Sequence, residues 1–188
     1  SGGRIYPSEQ PDSTYFLHYK YGSQVEQYAK SQFQSNNFIV PKSVFSFLTF
    51  DEDIKGYGFE DVLFGLDAKH FGLKLNTINN PIKHIKLKTN DEFLNDMEQA
   101  LQNLQKLITR KRNSLLEEKV AVSAFYQKLE KYNLTFLLST GQKTILKKTR
   151  KLLLLNIPLG VTLLITIYKL YYFHSLKIVK ENTPAHLS

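Results

Sequence analysis

The spacing of apolar residues divides the chain into stretches of different period. Phe93, Met97, Leu101, Leu104 and Ile108 recur at helical intervals, which predicts a long amphipathic helix over residues 90–112. Thr89 and Glu92 precede it with the spacing of a capping box. Ser114 and Glu117 repeat that spacing, and Leu116, Val120, Ala124, Phe125 and Leu129 carry a second helix to about Tyr132. These two helices are expected to pair as a hairpin. Upstream the period is two. Residues 73–78 and 82–87 alternate like half-buried strands around the turn Asn79-Asn80-Pro81. A further strand is expected over residues 35–40, ending at Pro41, which is placed to open a short helix over residues 42–48. Glu60 to Phe71 reads as a helix stopping at Gly72, and residues 15–33 as one or two short helices.

The last third has a different pattern. A basic cluster, Lys143 to Lys151, leads into Leu152–Tyr168, which carries no charge, and Tyr168, Tyr171, Tyr172 and Phe173 crowd its far end. A spanning helix needs ~20 apolar residues. This run is shorter and is interrupted by Asn156, Pro158 and Gly160. A helix lying in the interface of an anionic membrane, a single span and a buried core helix are its three expected fates. The pattern thus divides the chain into residues 1–88, a helical hairpin over 89–142 and a basic, apolar tail over 143–188.

Composition narrows the function classes. With 188 residues, 42% hydrophobic and 22% charged, the chain is globular rather than disordered. It has no cysteine, which excludes disulfides, thiolate metal sites and cysteine nucleophiles. The net charge is +8, and no acidic residue lies between Glu130 and Glu181, so the basic excess belongs to the C-terminal third. A basic surface attracts anionic lipid or nucleic acid. The neighbouring apolar run favours lipid, and no nucleic-acid-binding signature is present. The chain opens on Ser1 rather than Met and reads as a fragment whose N-terminal part lies elsewhere.

Candidate chemistry centres on Gly56-Tyr57-Gly58-Phe59-Glu60-Asp61. Glycines let a loop take unusual conformations and let a ligand approach the main chain. Glu60 and Asp61 then either complement a helix N-terminus or supply a general base at the rim of a cleft. Asp51-Glu52-Asp53 contains an Asp-x-Asp pattern of the kind that holds a divalent cation, although the stretch before it looks helical. His84 is either a structural histidine or one metal ligand.

Taken in order, Gly2-Gly3-Arg4-Ile5-Tyr6, Asn36-Asn37-Phe38, Phe50-Asp51-Glu52, the glycine loop with Glu60-Asp61, and Asn80-Pro81-Ile82-Lys83-His84 resemble the second half of a bacterial family 2 glycosyltransferase. The likeness is to the galactosyltransferase-type C-terminal region and covers roughly residues 1–110. It implies an α/β fold, a partial GT-A (Rossmann-like) domain. It also implies an inverting transfer of a sugar from a nucleotide-sugar donor to a glycan or lipid-linked acceptor. Asp61 would be the catalytic base, and Glu60 would bind the acceptor or orient the site. Asn37, Gly56, Tyr57 and Gly58 would contact substrate. His84 would help ligate Mg²⁺ or Mn²⁺ at the diphosphate.

The family's nucleotide-binding strands and metal-binding Asp-x-Asp precede its Gly-Gly-Arg region, and Asp51-Glu52-Asp53 does not replace them. The expectation is therefore a fragment bearing the acceptor half of the site and inactive alone, at the cytoplasmic face of a bacterial inner membrane. The rival expectation is a non-catalytic membrane-surface module that recruits partners through its hairpin and basic tail.

Overall fold

The computed structural model describes residues 1–28, 33–110 and 114–181. The chain divides into two compact units, Ser1–Asp96 and Met97–Ser188.

The first unit contains β1 (Arg4–Ile5), α1 (Phe16–Gln24), α2 (Glu60–His70), β2 (Ile82–Lys83) and the first turns of α3 (Asn90–Thr109). Short 3-10 turns cover Ser13–Tyr15, Glu26–Tyr28 and Lys42–Ser46. Its core is aromatic. Phe33, Val44, Leu48, Phe64 and Ala68 are buried together, and Phe38, Val40, Phe50, Leu73 and Leu75 pack on them. Phe50 stacks on Phe64 with ring centres 4.5 Å apart.

This unit overturns the expected α/β, Rossmann-like GT-A architecture. Among the described residues 60% are helical and 2% are strand, and the strands form one two-stranded parallel sheet. β1 and β2 pair Arg4 with Ile82 and Ile5 with Lys83. Both β2 residues are exposed, whereas the strands of a doubly wound sheet are covered on both faces. The alternation in residues 73–78 has another cause. Leu73 and Leu75 pack on the aromatic core from a loop, and the far end of that loop is tied to Ser1. Ser1 donates to the Asn76 carbonyl at 2.8 Å and accepts from the Ile78 amide at 3.0 Å. The expected strand over residues 35–40 is a turn followed by loop, and the expected helix after Pro41 is a 3-10 turn.

The predicted helices fare better. α2 starts at Glu60 and ends as its sequence predicts. The Leu73 amide donates to the Ala68 carbonyl at 2.9 Å and Gly72 to Lys69 at 3.0 Å, the paired bonds of a Schellman ending. The capping box of α3 is formed: the Thr89 amide donates to Glu92 Oε2 at 2.8 Å, and the Glu92 amide to Thr89 Oγ1 at 3.3 Å. Its predicted end at Arg112 falls outside the described residues, as do residues 29–32 of the expected 15–33 helices and the Ser114 side chain of the second box.

The second unit holds the rest of α3 with α4 (Ser114–Lys119), α5 (Ala121–Lys131), α6 (Phe136–Ser139), α7 (Gln142–Leu154) and α8 (Val161–Glu181). The helix expected from Ser114 to Tyr132 is interrupted at Val120, whose backbone is extended. The Ser123 hydroxyl lies within donating distance of the Glu117 carbonyl at 2.9 Å and of the Val120 carbonyl at 3.0 Å, which also accepts the Ala124 amide. α8 is the central element, with α5, α6 and α7 packed along it. Leu104, Leu116, Leu153, Ile165 and Phe173 are fully buried. Glu98 accepts from Arg150 at 2.7 Å and from the Tyr168 hydroxyl at 2.5 Å. The buried His174 hydrogen-bonds Tyr126 at 2.8 Å and Ser139 at 3.0 Å.

The uncharged run Leu152–Tyr168 is not one helix. Asn156 (φ 55°) and Gly160 (φ 76°) reverse the chain, so α7 and α8 form a helical hairpin. No helix among the described residues is long and apolar enough to cross a membrane.

Candidate functional site

The glycine loop reaches α2 through a run of left-handed backbone. Gly56 has φ 77°, Gly58 φ 101° and Phe59 φ 73°. Gly58 lies beyond the left-handed helical well, a region essentially confined to glycine. Phe59 sits at the N-cap of α2 without a side-chain cap. A non-glycine residue there costs about 1–2 kcal/mol, so surrounding contacts hold the loop in this shape. The loop delivers Glu60 and Asp61 to the first turn of α2.

Asp61 Oδ1 accepts the Val62 amide at 2.7 Å. Burial pushes the Asp61 carboxyl above its ordinary range, and the Glu60 charge adds to the rise. The Val62 amide bond and the Arg4 guanidinium work in the opposite direction. Oε2 of Glu60 is buried and has no hydrogen-bond partner.

Arg4 arrives from β1. Its Nη1 donates to Glu26 Oε2 at 3.3 Å and its Nε to Gln34 Oε1 at 3.4 Å. The Tyr6 hydroxyl donates to the same Glu26 oxygen. Burial first, then Glu26, raises the Tyr6 pKa, so the phenol stays protonated as the donor. Tyr6 stands against α1 at Gly22, where an added Cβ would meet its ring.

Two histidines complete an aromatic cluster. The rings of Tyr6 and His84 are 5.2 Å apart, those of His18 and His84 5.2 Å, and those of His18 and Phe93 5.5 Å. His18 Nδ1 accepts the Lys88 amide at 2.8 Å, which leaves the proton of the neutral ring on Nε2. Burial lowers the His18 pKa to about 4. His84 is also lowered, first by burial and then by Arg4. Its Nε2 is buried without a hydrogen-bond partner. Lys88 pairs with Asp96 and holds its Nζ 3.8 Å from the centre of the Tyr57 ring. The Tyr57 hydroxyl is pushed up to about 12 by burial and by Glu26, with Asp96 and Asp61 adding to the rise.

Arg4 is therefore common to the site. Asp61, Tyr57 and His84 each sense its charge, so three of the residues singled out in sequence share one electrostatic neighbourhood. The structure adds Tyr6, His18, Glu26 and Lys88. None of these had a sequence signal beyond its residue type, except that Tyr6 follows the Gly-Gly-Arg motif. Asn37 acts as a scaffold. Its Nδ2 donates to the carbonyls of Gly3 at 3.0 Å and Asn80 at 2.8 Å, clamping β1 to the turn before β2. Asp51-Glu52-Asp53 forms an exposed turn in which Asp51 Oδ1 accepts the Asp53 amide at 2.9 Å.

A magnesium or manganese ion does not fit at His84. Among the described residues no group of three or more His, Asp or Glu side chains is placed to hold a metal. The groups around His84 are Tyr6, His18, Arg4 and Lys88, with Glu26 as the carboxylate it senses. A hard dication needs several oxygen donors, and two cationic side chains oppose it. The site combines a carboxyl whose proton affinity is raised, a buried carboxylate oxygen and a buried imidazole nitrogen that lack hydrogen-bond partners, and a tyrosine ring that is 44% exposed.

No protein-family model matches the chain, and no curated protein or solved structure is significantly similar to it.

Proposed function

We propose that this chain carries the acceptor side of an inverting glycosyl transfer, with Asp61 as the general base. The observation that carries this reading is the pairing of a desolvated Asp61, made more basic by burial and by Glu60, with the unpartnered Glu60 Oε2 beside it.

Asp61 takes the proton of an acceptor hydroxyl as that oxygen attacks the anomeric carbon of a nucleotide sugar. The bond to the nucleotide diphosphate breaks on the opposite face, and the anomeric configuration inverts. A carboxylate made more basic by burial and by its neighbouring charge suits this transfer. Glu60, beside Asp61 in the first turn of α2, binds the acceptor and sets its orientation. Arg4 limits the rise of the Asp61 pKa and fixes Glu26 and Tyr6 around the acceptor. No step through a metal is assigned to these residues.

The test is sugar transfer by the complete natural polypeptide that carries these residues. Asp61→Asn is expected to lower kcat by about 10²–10⁴-fold. Glu60→Gln is expected to raise KM for the acceptor more than it lowers kcat. An Asp61→Asn enzyme within a few-fold of wild type refutes the role given to Asp61.

A further inference from the structure

We propose that the tip of the α7–α8 hairpin docks into the interface of an anionic lipid bilayer. Leu155, Leu159 and Leu163 enter the acyl boundary, while Lys147, Lys148 and Lys151 meet the phosphates. This inference rests on the second unit alone and is independent of the glycosyl-transfer reading.

The chain reversal creates the tip. Leu153, Val161 and Ile165 close the hairpin on itself, and the connecting residues project beyond them. Leu159 is 87% exposed and Leu163 63%, and Leu155 and Ile157 are exposed as well. Four large aliphatic side chains at one turn form an apolar patch of the kind that marks an interaction site.

The charges beside the patch select its partner. Thr144, Lys147, Lys148, Lys151, Leu152 and Leu155 are all exposed, and their spacing places them on one face of α7. That stripe is basic first and apolar towards the tip. Arg150 instead turns inward to Glu98. No Asp or Glu occurs between Glu130 and Glu181. A second exposed apolar group, Phe125, Tyr132, Phe136 and Leu137, also has exposed lysines, Lys128 and Lys131, but the exposed carboxylate Glu130 stands between them. An anionic surface therefore favours the hairpin tip. A phosphate backbone without acyl chains would leave the leucines in water.

The dimensions agree with this mode. At the helical rise, Lys151 lies about 6 Å and Lys147 about 12 Å along the axis from Leu155. Interfacial elements bury their apolar parts about 5–10 Å deep, which brings these lysines to the headgroup layer. The hairpin enters one leaflet and does not cross.

The chain has no tryptophan, so Leu159→Trp supplies a single fluorescent reporter. Phe136→Trp is the companion reporter in the other apolar group. Both replace exposed side chains, and far-UV circular dichroism checks that each variant folds. With phosphatidylserine–phosphatidylcholine vesicles, Leu159→Trp is expected to shift to the blue and to be quenched by brominated acyl chains. Phe136→Trp is expected to keep its emission in water. Combining Lys147→Glu with Lys151→Glu is expected to weaken partitioning by about tenfold or more, and added salt to weaken it in wild type. No shift at Leu159→Trp overturns the proposal. So does an equal shift with pure phosphatidylcholine, a shift at Phe136→Trp alone, or an equal response to a DNA duplex without lipid.

Discussion

Tyr6 occupies a notch in α1 that exists because residue 22 is glycine. A Cβ on Gly22 would lie 2.0 Å from Tyr6 Cζ and 2.5 Å from its hydroxyl. The same ring donates its hydroxyl hydrogen to Glu26, which also receives Arg4. Close approach at one helical position thus sets the geometry of the site's arginine.

Gly22→Ala is expected to destabilise the protein by about 1–3 kcal/mol, the usual cost of overpacking. The cost comes from the Tyr6 ring, so Tyr6→Ala in the same chain should relieve part of it. Urea denaturation of the two single variants and the double variant measures the coupling. Contacting residues couple by about 0.5–3 kcal/mol. Additive costs would show that the ring does not sit in the notch.

His18 is buried, and its pKa is lowered to about 4 from an ordinary 6.5. Between these values the unfolded chain binds a proton that the folded chain refuses. Its contribution to stability is therefore complete above pH 6.5 and is lost as the pH falls towards 4. The loss amounts to about 3 kcal/mol. His18→Asn keeps an oxygen to accept the Lys88 amide and removes the titration. Stability measured from pH 7 to 4 should slope steeply in wild type and distinctly less in this variant. Parallel profiles would remove His18 from the account of acid sensitivity.

Asp61 has the opposite sign. Its carboxyl is raised above the ordinary 3.8, so the folded chain holds the proton more tightly than the unfolded chain. Stability falls as pH rises from about 3.8 through the raised value, and that loss is a standing cost above it. Asp61→Asn removes that cost and still accepts the Val62 amide through Oδ1. The variant should melt at a higher temperature than wild type at pH 7, with the gap closing below pH 3.8. A lower melting temperature at pH 7 would mean that the charge is stabilising where it stands. Together with the expected loss of transfer, higher stability is the signature of a group kept for chemistry rather than for folding.

Helix boundaries are readable from the chain wherever a cap or a stop is local. α3 begins at the Thr89–Glu92 box, and α2 ends at Gly72, because the residues that satisfy those ends are close in sequence. The sheet is not readable in this way, because alternation records only that one face is buried. Leu73 and Leu75 bury theirs on the Phe33 and Phe64 core from a loop, and period two cannot distinguish that from a strand. The loop of Glu60 and Asp61 is visible in the sequence, as are Tyr57 and His84. Tyr6, His18, Glu26 and Lys88 do not assemble there, since they come from separate segments and meet only in three dimensions. The hairpin of α7 and α8 is half visible: Asn156, Pro158 and Gly160 mark an interruption, but not a reversal.

The glycine loop supplies the sharpest test of how Asp61 is positioned. At φ 101°, Gly58 lies outside the left-handed well that asparagine tolerates, whereas Gly72 at φ 75° lies close to it. Gly72→Asn should therefore be mild. Gly58→Asn and Gly58→Ala should each cost about 1–3 kcal/mol, because neither side chain suits that backbone. If the loop shifts to relieve the strain, it carries Phe59, Glu60 and Asp61 with it. Hydrogen exchange at the Val62 amide, now bonded to Asp61 Oδ1, reports that shift directly. Faster exchange there in Gly58→Ala, with the Leu73 amide at the far end of α2 unchanged, would place the damage at the loop. Wild-type exchange and stability in Gly58→Ala would show that the left-handed run is not what holds the two carboxylates in place.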